Sequence, residues 1–212
     1  HIQAAAKIIE NGLLGTPFAG LLESMIFFDY PAYPGQKRGF VIEQITHNID
    51  ALRCILGEEA VDVYAKMGRS PSKVRRGETR EFWDTITITF ESDCVIQLFN
   101  SWDCWGYNVE EESPEGRMHL ECDRGTLFLN KDESTPLTAY SADLGGWFTP
   151  DVTPKLRRDQ LEAYGTGESM KRFIECIERG GEHPVSGREY LKTLRIAFAA
   201  YESAGKNMPI KV

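Results

Sequence analysis

Three residues in this 212-residue chain have the types and spacing of an acid–base apparatus: Glu43, His47 and Asp50. In a helix, positions i, i+4 and i+7 fall on one stripe, so two carboxylates flank one imidazole. A carboxylate beside an imidazole favours the charged imidazolium and can hold the ring's orientation. A ring that titrates near neutrality can take a proton from a substrate hydroxyl or return one, which makes His47 and Glu43 the candidate catalytic pair. The same stripe also fits a plain solvated helix face, and spacing alone leaves both readings open. A metal centre is a poorer match, because His1, His119 and His183 fall in a frayed start, a strand and a pre-helix turn. No metal site is expected.

The helix that must carry the stripe spans Phe40 to Leu56 and stops at Gly57. Ile42, Ile45, Ile49, Leu52 and Leu56 form a second stripe more than about 120° away, which must face the core. Before it lies an apolar strand, Phe18 to Asp29, and a turn-rich aromatic loop, Tyr30 to Gly39. A first helix from Ile2 to Asn11 closes at Gly12. After the central helix the chain is β-rich. Ala60 to Arg69 reads as a strand and Ser70 to Glu78 as a basic, exposed loop. Thr85 to Phe90 alternates with period two, turns at Glu91-Ser92-Asp93 and returns as Cys94 to Trp102. Arg117 to Cys122 and Thr126 to Asn130 form a second hairpin, and Asp132 to Tyr164 reads as loop. Met170, Phe173, Ile174 and Ile177 then mark one helix. Ser186-Gly187-Arg188-Glu189 is a capping box opening another, with Leu191, Leu194, Phe198 and Tyr201 on one face. Met208 to Val212 reads as an edge strand. The fold class is α+β, a large, mostly antiparallel open sheet with helices packed on one face.

Composition excludes several function classes. Hydrophobic residues make up 42% and charged residues 26%, ordinary for a globular domain, and the net charge of −8 opposes nucleic-acid binding. The five cysteines form no C-x-x-C pair, so neither a disulfide framework nor a zinc ribbon is indicated, and a cytoplasmic setting is the default. No apolar run is long enough to span a membrane. Gly165-Thr166-Gly167 looks like the start of a dinucleotide fingerprint but lacks the preceding strand and the third glycine, and reads as loop and helix entry. Arg69, Lys73, Arg75, Arg76 and Arg80 cluster without aromatic neighbours and read as solvated. His1 is not a methionine and the chain opens inside a helix, so a fragment of a longer protein is expected.

The run from Gly39 through Glu43, His47, Asp50 and Arg53 to Leu56-Gly57-Glu58 resembles the start of the C-terminal domain in the glucose–fructose oxidoreductase / inositol dehydrogenase (Gfo/Idh/MocA) family. Ala4 to Pro17, Trp83-Asp84-Thr85 through Phe90, Arg124-Gly125-Thr126-Leu127, and the closing stretches Phe173 to Gly180, Pro184 and Tyr201 to Val212 match that family in order. The resemblance implies that residues 1–212 are a substrate-binding and oligomerisation domain, with 1–15 the connecting helix from a dinucleotide-binding Rossmann domain absent here. It implies hydride transfer to or from a sugar or cyclitol-like polyol with NAD or NADP. His47 matches the family's His, Glu43 stands where many members have Asp, and Asp50 matches the family's Asp. The loop places Asp29, Tyr30, Tyr33, Lys37 and Arg38, with Asp50, as candidates to bind substrate hydroxyls. No cofactor-binding residue and no bound cofactor are expected in this chain, which alone should be inactive. The partners expected are the polyol and a second copy of the chain, bound through the open sheet face. The alternative is a non-catalytic relative serving as a dimerisation scaffold or small-ligand module.

Overall fold

The computed structural model describes residues 1–27, 36, 38–104, 117–129, 136–151 and 158–212, with side chains omitted at 158–166 and 168. The chain opens with α1 (Ile2–Glu10) and β1 (Pro17–Met25), then reaches a π-helical turn (Val41–Ile45) that runs directly into α2 (Thr46–Leu56). β2 (Ala60–Gly68), a short α3 (Pro71–Arg75), β3 (Trp83–Phe90) and β4 (Val95–Ser101) follow. Next come β5 (Arg117–Cys122), β6 (Gly125–Leu129), β7 (Leu137–Ser141) and β8 (Gly146–Phe148). Helices α4 (Arg158–Arg179) and α5 (Gly187–Lys206) and strand β9 (Ile210–Lys211) end the chain.

The nine strands form one sheet in the order β8-β7-β6-β5-β1-β4-β3-β2-β9. Every neighbouring pair is antiparallel except β1 with β4. A parallel pair needs a crossover, and here α2, β2 and β3 intervene before β4 returns beside β1. One face is buried. Ile86, Ile88 and Phe90 of β3 and Ile96 and Leu98 of β4 point into the core with Leu120, Leu127 and Ala139. Thr85, Gln97 and Phe99 alternate onto the exposed side. The expected α+β open sheet with helices on one face is what the chain forms.

Several expected elements differ. The stretch expected as loop from Asp132 to Tyr164 contains β7, β8 and the first turns of α4. In β7 the inward residues are Leu137, Ala139 and Ser141, too small and polar to read as a hydrophobic alternation. The expected loop Ser70 to Glu78 holds α3, capped by the Ser70 hydroxyl accepting from Lys73 N, with Pro71 in its first turn. Lys73 and Arg80 are buried rather than solvated: Lys73 Nζ lies 4.3 Å from the Phe82 ring centre, and Arg80 pairs with Glu78 at 3.2 Å. Gly165-Thr166-Gly167 lies inside α4 and not at a helix entry.

Helix α5 reverses its expected face. Leu191 and Phe198 are exposed, and the buried residues are Thr193, Ile196, Ala197, Ala199, Ala200 and Ser203. Small side chains allow the helix to lie close to its neighbours, so close that the Ser203 hydroxyl accepts a hydrogen bond from Ala65 N of β2 at 2.9 Å. Large apolar residues have no room on that side. Met170, Phe173, Ile174 and Ile177, whose spacing marks α4 as a helix, are likewise exposed.

At the end of the sheet where β1 leads toward Arg38, the core face is polar. Ser24, Asn100 and Asp84 lie side by side on adjacent strands, all buried. Asn100 Nδ2 donates to Asp84 Oδ1 at 2.6 Å, while Asp84 Oδ2 and Asn100 Oδ1 are buried with no partner among the described residues. Burial pushes the Asp84 carboxyl up to about 8, against the Asn100 hydrogen bond and with help from the Glu81 charge. An unfolded Asp ionises near pH 3.9, roughly. The fold therefore keeps a proton that the unfolded chain releases, and stability is full below about pH 4 and falls until the pH passes about 8. In Asp84→Asn the carboxamide has no charge to bury, and its NH2 can donate to Asn100 Oδ1. Thermal melts between pH 5 and 9 should show the variant less pH-sensitive and more stable than the parent at the alkaline end. Identical pH slopes in the two proteins would show that Asp84 is not buried as a neutral acid.

Candidate active site

The helix bearing Glu43, His47 and Asp50 begins with a π-helical turn, which shifts its phase. Val41, Ile45, Ile49 and Leu52 form the fully buried line, and Ile42, expected in the core, turns partly outward. Wide turns of this kind are uncommon and occur often at functional sites. Gly57 ends α2 in the left-handed conformation, φ 68°, with its N–H donating to Arg53 O.

On the outer side the three candidate residues separate in their contacts. His47 is exposed, and its imidazole makes no hydrogen bond or ion pair with any described residue. Glu43 accepts a hydrogen bond from Gln36 Nε2. Asp50 accepts from the Thr193 hydroxyl of α5 at 2.8 Å and lies 3.5 Å from Arg53 Nη1. The carboxylates thus share a helix face with the imidazole while each is engaged elsewhere. Of the loop candidates, Asp29, Tyr30, Tyr33 and Lys37 lie outside the described residues. Arg38 lies with its guanidinium carbon 4.8 Å from the Phe198 ring centre and 5.3 Å from that of Tyr201, facing α5.

Two anchors unforeseen in the sequence hold this helix. Near its C-terminal end, Arg53 is buried and forks onto Glu59 at 2.9 and 3.0 Å, reaches the Thr193 hydroxyl at 2.9 Å and pairs with Glu189 at 2.5 Å. These bonds tie α2, the approach to β2 and α5 together. The Arg53 hydrogen bonds hold the Glu59 and Glu189 carboxyls below the usual carboxylate range. At the N-terminal end, Glu81 Oε1 accepts from Gly39 N at 2.9 Å, from Val41 N at 3.3 Å and from the Tyr201 hydroxyl. The one sequence signal for Arg53 is a lone cation beside a buried stripe. Glu81, 42 residues from Gly39, leaves no local signal.

Other chemistries find less support. Cys94 and Cys122 are buried, and desolvation pushes their thiols up to about 11 and about 12, so neither is a thiolate nucleophile at neutral pH. Among the described residues no group of three or more His, Cys, Asp or Glu side chains could hold a metal ion, and no helix is long and apolar enough to cross a membrane. Among the described residues β1 and β4 are the one parallel pair, and the Gly165-Thr166-Gly167 run is helical.

Residues 6–212 match the model of an oxidoreductase family's C-terminal alpha/beta domain. The chain belongs to the Gfo/Idh/MocA oxidoreductase family. Within the family, a D-apiose dehydrogenase from Paraburkholderia graminis is 26% identical over 222 residues, covering 100% of this chain and 56% of that protein. An inositol 2-dehydrogenase from Rhizobium meliloti is 24% identical over 100% of this chain and 62% of its own length. An oxidoreductase from Agrobacterium radiobacter, solved with NAD+, L-tartaric acid and magnesium, has the same fold. Its TM-score is 0.79 at 24% identity, over 99% of this chain and 61% of that chain. The chain therefore spans less than two thirds of the family proteins it matches.

The Arg53 anchor yields a stability test. Lys cannot reproduce a fork that meets Glu59, Thr193 and Glu189 together. Arg53→Lys should cost on the order of 2–3 kcal/mol in chemical denaturation, less than a fully buried pair because the carboxylates are part-exposed. A loss under about 0.5 kcal/mol, the usual range for surface changes, would show that the cluster does not hold α2 to α5.

Proposed function

We propose that this chain is the substrate-binding domain of an NAD(P)-dependent dehydrogenase that transfers hydride to or from a sugar or cyclitol-like polyol, with His47 as the general acid/base. The observation that carries this reading is an exposed imidazole, without a partner among the described residues, on a helix fixed at both ends. Oxidising an alcohol requires its hydroxyl proton to leave, and reduction requires one to arrive. An imidazole within hydrogen-bond reach of the substrate can do both. Glu43, on the same face, serves as the pair's carboxylate once a substrate competes for Gln36. Asp29, Tyr30, Tyr33, Lys37, Arg38 and Asp50 are proposed to bind hydroxyls. The D-apiose and inositol dehydrogenases among the relatives support a polyol substrate class.

On this reading the nicotinamide cofactor is held by a part of the protein outside this chain, with residues 1–15 as the connection to it. The chain alone would then be inactive. Exposed Met170, Phe173, Ile174 and Ile177 on α4 support a covering neighbour, since a monomer seldom leaves so many large apolar side chains in water. The outer sheet face offers a second such surface through Leu21, Phe99, Tyr140 and Trp147, and is proposed to join a second copy.

The decisive experiment on the mechanism uses the polypeptide that carries both this domain and its dinucleotide-binding part. His47→Ala should lower turnover of an accepted polyol by roughly 10²–10⁴-fold, the usual contribution of a positioned acid/base. Cofactor affinity should hardly move. Turnover within a factor of about three of the parent would make His47 a surface residue and end this mechanism. The oligomer is tested separately. Light scattering should report a dimer or larger for the unmodified protein, and Phe99→Glu, which places a charge on the central strand β4 of the apolar face, should dissociate it. A monomer at high concentration before any substitution would remove the sheet face as an interface.

A further inference from the structure

We infer that Glu81 is a positioning residue, which sets the joint between the candidate substrate loop and the His47 helix through a single carboxylate oxygen. The inference rests on the proposed role of His47. Three donors from two places in the chain converge on Glu81 Oε1: Gly39 N and Val41 N at the start of the helix, and the Tyr201 hydroxyl of α5. The first N–H groups of a helix have no partner within it, and a side chain just before the helix usually accepts from them. Here Phe40 precedes the π-helical turn and supplies no such bond. The carboxylate that does so arrives from the other side of the molecule, on the segment entering β3.

The joint is built for close approach. A Cβ on Gly39 would lie 2.7 Å from Glu81 O and 3.0 Å from Arg80 Cβ, so a side chain there would push Glu81 away from the amides it binds. Glu81 is itself only 8% exposed, which fixes the direction from which it accepts. Tyr201 brings α5 into the same joint. Its burial, reinforced by the bond to Glu81, raises the phenol well above its ordinary pKa, so it remains a donor at all accessible pH. Arg38, the last residue of the loop before Gly39, lies over the Phe198 and Tyr201 rings. The loop's end and the helix's start are therefore registered against one helix, at one point.

The consequence follows from the π-helical turn. A five-residue turn is rarer than an α-turn and needs tertiary contacts to persist. If it relaxed to α-helix, the residues before Thr46 would rotate relative to His47, changing the angle at which Glu43 and the entering chain lie beside the imidazole. Glu81 makes no hydrogen bond to His47; its carboxylate oxygen is engaged by Gly39, Val41 and Tyr201. Its role is to hold the wide turn, and hence the relation of loop, Glu43 and His47.

The test combines local and catalytic readouts on Glu81→Ala and Glu81→Gln, since Gln retains an Oε1 acceptor. By NMR on this chain, Glu81→Ala should speed exchange of the Gly39 and Val41 amides by about tenfold or more and move the His47 ring signals, with β3 and β4 amides unchanged. Glu81→Gln should restore both to near the parent. In the two-domain protein, kcat should fall about tenfold in the Ala variant and recover to within about threefold in the Gln variant, at constant cofactor KM. If the Ala variant fails to fold, Tyr201→Phe, which removes one of the three donors' bonds, should still shift the His47 signals. Unchanged exchange at Gly39 and Val41 in a folded Ala variant would overturn the inference, and so would Gln behaving like Ala or loss of protection spread over the whole sheet. Should the unmodified two-domain protein turn over no polyol, the functional reading fails while the exchange and His47 signals still decide the role of Glu81.

Discussion

The close, antiparallel approach of α5 to the π-turn–α2 helix is the constraint on which the remaining geometry depends. The sheet is covered on one side only, and these two helices supply much of that cover. Small residues make the approach possible: Thr193, Ala197 and Ala200 are buried on α5, and Ile45, Ile49 and Leu52 are buried on the helix beside it. The pairing runs from Arg53 with Glu189 and Thr193 at one end to Gly39 and Val41 with Tyr201, through Glu81, at the other. Between these ends the contacts are apolar and non-directional. The polar ends decide how far each helix is rotated and how far it slides, which burial alone would leave loose.

That arrangement separates stability from chemistry along one helix. The buried line carries the packing, and the ends carry the charged hydrogen bonds. The outer face between them is left to Glu43, His47 and Asp50. Among the described residues the imidazole has no partner, while the carboxylates on either side of it are engaged: Gln36 with Glu43, and Thr193 and Arg53 with Asp50. At the Arg53 end, Glu59 and Glu189 have depressed folded pKa values, so their contribution is present above the unfolded carboxylate range and is lost as pH falls below it through the folded values.

How much of this was legible in the sequence varies with the kind of force involved. Period-two alternation marked β3, β4 and the β5–β6 hairpin, because each has large apolar residues inward and polar ones outward. The same rule missed β7, whose inward Ala139 and Ser141 are small, and helical spacing on α5 picked out a face whose Leu191 and Phe198 are exposed while smaller residues are buried. Both failures share a cause. Where elements approach closely, the core selects for small volume rather than hydrophobicity, and a pattern built on hydrophobicity points the wrong way. The stripe of Glu43, His47 and Asp50 was legible because it is local. The π-helical turn, the burial of Lys73 and Arg80, and the bonds of Arg53 and Glu81 were not, since each depends on residues far along the chain.

The uncovered surfaces bear on why His47 is exposed. A proton-transfer group works best in a site that excludes water, where fixed dipoles act with little screening. In this chain the imidazole faces solvent and no described side chain covers it. On the proposed reading that is the expected condition of half a site. The helix fixes the ring, the loop ending at Arg38 brings hydroxyl-binding groups to one side, and the body that holds the cofactor closes the other. Exposed apolar residues on α4 and on the outer side of α5, such as Phe173, Ile177 and Leu191, are the kind of surface that such a body would cover. The dryness that acid–base chemistry requires is then a property of the assembled interface. This chain contributes to it a ring held in a fixed position, which is why the anchors at the two ends of the helix matter more to the chemistry than any contact made by the ring itself.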